Sequence, residues 1–135
     1  MAARRALATG VWLYVDTLEY LRRGGRIGPA AAWLGSALAV KPLLHLADGR
    51  IEPVERVRTT SRALARLEEI VVAEAGDGSV DVAVQHLGAP DRADELAHRL
   101  QDRLPGIRQM IVDEVGAVVG AHVGPGMLGV VVAPV

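Results

Sequence analysis

The chain has 135 residues, a length that fits one domain. Half of it is hydrophobic and only 3% aromatic, so Ala, Val, Leu and Ile supply enough apolar mass to exclude disorder. The absence of Cys excludes disulfides, thiolate metal sites and cysteine nucleophiles, and the net charge of −1 argues against a general binder of nucleic acid or anionic membrane. Fourteen of the fifteen basic residues are Arg, a bias that, with the Ala excess, fits GC-rich coding.

Arg4 and Arg5 before Leu7 to Val15 faintly mimic a signal peptide. The apolar run is short, lacks a small-residue cleavage site and is not read as one. No apolar stretch approaches a membrane span, so the expectation is a cytoplasmic protein with no stable membrane insertion.

Residues 10–15 predict a buried strand. Asp16 and Glu19 have the spacing of a capping box, which starts a helix that Gly24 and Gly25 end by adopting positive φ. Gly28-Pro29 predicts a second helix running to about Val40. Residues 41–47 and 50–58 predict a hairpin closed by Asp48-Gly49, with Pro53 marking an edge or bulge. Thr60 or Ser61 starts a third helix, striped by Leu64, Leu67, Ile70 and Val71. Val80, Val82 and Val84 alternate with polar or small residues as in a strand buried on one face. A helix follows from Pro90 to Leu104, then a strand at 107–112. Residues 115–122 fit either a short helix or a strand. Gly124-Pro125-Gly126 is a tight turn before a last strand at 127–132. The sum is one α/β (α+β) sandwich of two or three layers, with a mixed sheet.

Three spots combine glycine with chemistry. Arg26 sits between Gly24-Gly25 and the helix start at Gly28-Pro29, where free N–H groups favour an anion. His122 precedes Gly124 and Gly126, which would allow a ligand close to the backbone. Arg56 and Arg58 share a strand face and can clamp an anion through their guanidinium groups. Each also reads as a plain turn, a structural His or solvated Arg. No His pair has the spacing of a helical metal site, and no nucleophile–His–acid triad, paired carboxylate, Walker loop or GxGxxG is present. Neither a metal site nor a catalytic group is expected.

The spacing of these spots carries a resemblance. Residues 16–27 (DTLEYLRRGGRI) resemble the "sLeyLkkGGRI" block of the DegV family. Lys41-Pro42-Leu43-Leu44 with Asp48-Gly49 resembles its "kPil…dG" block, Arg56 to Thr59 its "KvRT" block, and His122 to Gly129 its "HtGPGalG" block. Four blocks in order cover the chain from about Trp12 to Val132.

The resemblance implies a bacterial protein that binds long-chain fatty acid, with no cofactor beyond that ligand. Some DegV proteins present the fatty acid to a separate kinase subunit that makes acyl phosphate. It implies a carrier rather than an enzyme, spanning only the C-terminal domain of a two-domain family. The N-terminal domain, which supplies hydroxyls and amides to the carboxylate, has no counterpart here. His122 matches the histidine that binds the carboxylate and Arg26 an arginine beside the head group. Arg58 matches the arginine implicated in phosphoryl transfer or kinase docking. Arg56 replaces a usual Lys. Leu34, Leu38, Val40 and Leu44 are candidate walls of an acyl pocket, and Gly124 and Gly126 of its loop. Two other readings remain: a structural or regulatory module that dimerises without ligand, and a stand-alone enzyme on phosphate esters using Arg26, Arg58 and the Gly124-Pro125-Gly126 turn.

Overall fold

A computed structural model describes residues 9–34 and 40–135. Among these residues, six strands form one sheet in the order β3-β2-β1-β6-β4-β5. They are β1 (Gly10–Tyr14), β2 (Lys41–Ala47), β3 (Arg50–Val57), β4 (Val80–His86), β5 (Ile107–Glu114) and β6 (Leu128–Pro134). Only the β4–β5 pair is parallel, so the sheet is mixed as expected. The parallel pair requires a crossover, which α3 (Pro90–Arg103) supplies. The other helices are α1 (Glu19–Arg23), α2 (Thr60–Ala75) and α4 (Ala117–Val123), with a 3-10 helix at Gly28–Trp33.

Strand alternation gives the sheet two unlike faces. On one, Trp12, Tyr14, Leu43, Val82, Val84 and Val130 pack against Leu67, Val71, Leu96 and Leu100 of α2 and α3. Each fully buried aliphatic side chain there contributes about 1.5–3 kcal/mol of transfer free energy. On the other, Leu13, Leu44 and Ile51 pack under shorter elements through Leu21, Ala30, Val123 and Met127.

Several expectations hold. Asp48 and Gly49 both take positive φ, 52° and 74°, as a two-residue hairpin turn requires. β3 is an edge strand, and its register steps between Leu43 and Leu44, leaving Val54 bulged beside Pro53. Residues 115–122 resolve into α4 rather than a strand.

Others are corrected. Asp16 does not cap α1; the helix starts at Glu19, and Thr17 Oγ1 accepts from the Glu19 N–H at 3.2 Å. The Asp16 carboxylate is instead drawn to the sheet end, where the Tyr14 hydroxyl donates to it at 2.5 Å. Gly24 has φ −82°, and only Gly25 is left-handed, at 69°. The expected helix from Gly28 is a 3-10 helix that ends at Trp33, because Leu34 turns to extended backbone at ψ 148°. α2 does start at Thr60 as expected, and Thr59 caps it, accepting from the Arg62 N–H at 3.2 Å.

Candidate functional site

The open face of the sheet holds a cleft of about 600 Å³. Its floor is Val11 and Leu13 of β1, Leu46 of β2 and Val131 of β6. These positions face away from α2 and α3 because their strand neighbours are committed to the other core. Leu21, Val123 and Met127 form the walls, and Gly25, Gly28 and Gly49 lie along the rim. The polar residues on the lining are Arg26, Arg50, Gln85 and His122.

Arg26 and His122 therefore meet at one cavity, although 96 positions separate them in sequence. Two short helices bring this about. The Arg26 backbone N–H closes the end of α1 on Leu21 O at 2.8 Å, and its guanidinium reaches Gly24 O at 3.5 Å. His122 lies in the last turn of α4, which packs against α1. A Cβ on Gly24 would overlap the His122 imidazole at Nδ1. Glycine is needed there for space, not for backbone conformation. His122 Nδ1 is buried and has no hydrogen-bond partner among the described residues. A buried polar atom without a partner is costly, so this one is poised for a ligand.

Gly124 and Gly126 support this end from behind. Both have left-handed φ, 83° and 90°. A Cβ on Gly124 would strike the Tyr20 ring, and one on Gly126 the Asp16 carboxylate. Tyr14 Oη donates to Asp16 and lies 3.1 Å from Thr60 Oγ1, while Arg92 stands 3.8 Å from the same carboxylate. Burial, then the Asp16 hydrogen bond, pushes the Tyr14 phenol up to about 12. Nothing in the sequence marked this cluster.

The remaining expected residues stand apart. Arg58 is exposed just beyond β3 and does not line the cleft. Leu44 is fully buried in the core beneath the cleft. Leu34 is 36% exposed at the end of the 3-10 helix, and neither it nor Val40 is on the lining. Leu34 and Val40 were expected on a helix reaching Val40 and Leu44 on the strand after it; the 3-10 helix ends at Trp33, Leu44 turns into the core, and other residues line the cleft. Leu38 lies outside the described residues. The floor of this cleft was foreseeable in part, since Val11, Leu13, Leu46 and Val131 sit opposite the other core in strand alternation. Among the described residues, no cluster of His, Asp or Glu is suited to a metal, and no helix is long and apolar enough to cross a membrane.

The family model described as "Uncharacterised protein, DegV family" matches residues 2–135. A DegV domain-containing protein of Streptomyces coelicolor is 65% identical over 132 residues, covering 98% of this chain and 47% of that protein. Among solved structures, a fatty acid binding DegV family protein of Streptococcus agalactiae is 32% identical, with a TM-score of 0.87 over 98% of this chain and 47% of its own. A DegV family protein of Thermus thermophilus, described by its fatty acid binding, is 34% identical, with a TM-score of 0.87 over 94% of this chain and 46% of its own. The chain spans about half the length of the relatives it matches. With the matching fold, this extent of similarity means that the chain belongs to the DegV family.

Proposed function

We propose that this chain binds a long-chain fatty acid, with the acyl tail on the cleft floor and the carboxylate at His122 and Arg26. The observation that carries the reading is the unpartnered, buried His122 Nδ1 at the edge of an aliphatic cleft. Such a cleft rewards an alkyl chain by about 0.8 kcal/mol per CH₂. A carboxylate entering with the chain cannot be left bare. An N–H at His122 Nδ1 and the exposed guanidinium of Arg26 answer that need. The two DegV structures described as fatty acid binding add support.

In the same reading the chain is a non-catalytic carrier, acting in the cytoplasm. A separate kinase subunit would phosphorylate the bound acid, and Arg58, exposed just beyond the edge strand, would face that partner or the new phosphate. A further N-terminal domain would complete the head-group shell with hydroxyls and amides.

Native mass spectrometry of the protein purified from a bacterial host tests the reading. A co-purifying fatty acid is expected, and an empty protein after lipid feeding would overturn it. His122→Ala should weaken fatty-acid binding while leaving the thermal midpoint nearly unchanged. Equal losses of both would assign His122 a structural role.

A further inference from the structure

Gln85 interrupts the floor of the cleft. In β4, Val80, Val82, Val84 and His86 are buried toward the closed core, so the alternation turns Gln85 toward the open face. In one row across the sheet, Leu13 of β1 is registered with Gly129 of β6, and Gly129 with Gln85. The floor thus runs from aliphatic side chains to a primary amide. Gln85 is half-buried and lines the same cleft as His122. The side-chain hydrogen bonds of that strand end run from Gly88 N–H to Glu114 and from Ala89 N–H to His86, and among the described residues the Gln85 amide takes no part in them.

A primary amide offers two N–H donors. A ligand sealing the cleft would strip water from them, at a cost unless it brings an acceptor. A leucine would continue the floor without that cost. We propose that Gln85 is a second head-group ligand, its side-chain N–H donating to a carboxylate oxygen of the acid that His122 holds. The inference rests on the fatty-acid reading above. It makes the cleft selective for a carboxylate over a neutral head group of equal chain length.

Affinities for hexadecanoate and hexadecan-1-ol, measured on the wild type, Gln85→Leu and Gln85→Glu, test it. Gln85→Leu should weaken hexadecanoate about tenfold, the scale of one hydrogen bond to a charged group, and leave the alcohol almost unchanged. Gln85→Glu keeps the shape and adds a like charge, so it should weaken the acid further at neutral pH and the alcohol little. Tight hexadecanoate binding by the wild type that Gln85→Leu leaves intact, or equal losses for acid and alcohol, would overturn the inference alone. A wild type that binds neither probe overturns the fatty-acid reading as well.

Discussion

The two faces of the sheet are built from the same kind of strand and covered very differently. One lies under α2 and α3, of 16 and 14 residues, and their apolar stripes close it into a continuous core. The other lies under helices of five and seven residues and a six-residue 3-10 helix, which leave part of the floor uncovered. Val119 is 51% exposed at the rim and Leu46 36% on the floor, whereas Leu67 and Leu100 on the closed side are fully buried. A face closed by its own helices stores stability. A face left open stores apolar surface for something else to cover.

The largest effect should come from reversing this contrast. Leu67→Ala removes a buried side chain from the closed core and should cost about 2–5 kcal/mol of stability. Binding per folded molecule should stay the same. Leu46→Ala removes a half-exposed floor residue and should do the opposite, barely moving the thermal midpoint while weakening fatty-acid binding. Paired denaturation and binding measurements decide it; a Leu46→Ala variant as unstable as Leu67→Ala would make the open face ordinary core.

Gly24→Ala sharpens the contrast within the open face. At φ −82° alanine fits the backbone, so the lower chain entropy of alanine offsets part of the cost of crowding the imidazole. The new Cβ would still collide with His122 Nδ1 and turn the imidazole away. Fatty-acid affinity should fall about tenfold, the scale of one lost charged hydrogen bond, with little change in thermal midpoint. A shift in the His122 imidazole resonances should accompany the loss. Unchanged affinity would detach His122 from the ligand.

Much of the fold was legible because strands and the hairpin announce themselves by alternation and by Asp48-Gly49. The alternation of β4 even fixed which face is buried. The site was legible only as fragments. Arg26 and His122 were visible through flanking glycines, but their meeting depends on how α1 packs on α4, which no local pattern encodes. The helix expected from Gly28 failed because Ala propensity was overridden: Ala30 is buried beside β3, and the segment closes with i→i+3 bonds such as Leu34 N–H to Ala31 O. Asp16 and Glu19 had capping-box spacing, yet Tyr14 and Arg92 compete for Asp16 and Arg22 and Arg23 for Glu19. Gln85 looked like one more outward polar residue until the outward face proved to be a cleft.

The smallest expected effect lies on the seam between the faces. Tyr14 belongs to the closed core, while Asp16, its hydrogen-bond acceptor, lies against Gly126 of the turn after His122. The phenol is raised from 10.0 to about 12 in the folded chain, so folding favours its protonated form. Its contribution is fully present below pH 10 and is lost as pH rises from about 10 to 12, because the unfolded phenol ionises first. Tyr14→Phe should therefore cost about 1 kcal/mol or less at neutral pH, the net worth of one hydrogen bond. It should also flatten this alkaline loss, leaving wild type and variant closer in stability at pH 12 than at pH 8. Denaturant melts across that range, with phenolate absorbance followed in parallel, measure both. If the wild-type excess persisted undiminished at high pH, the Tyr14–Asp16 bond would not be what ties the closed core to the turn behind the cleft.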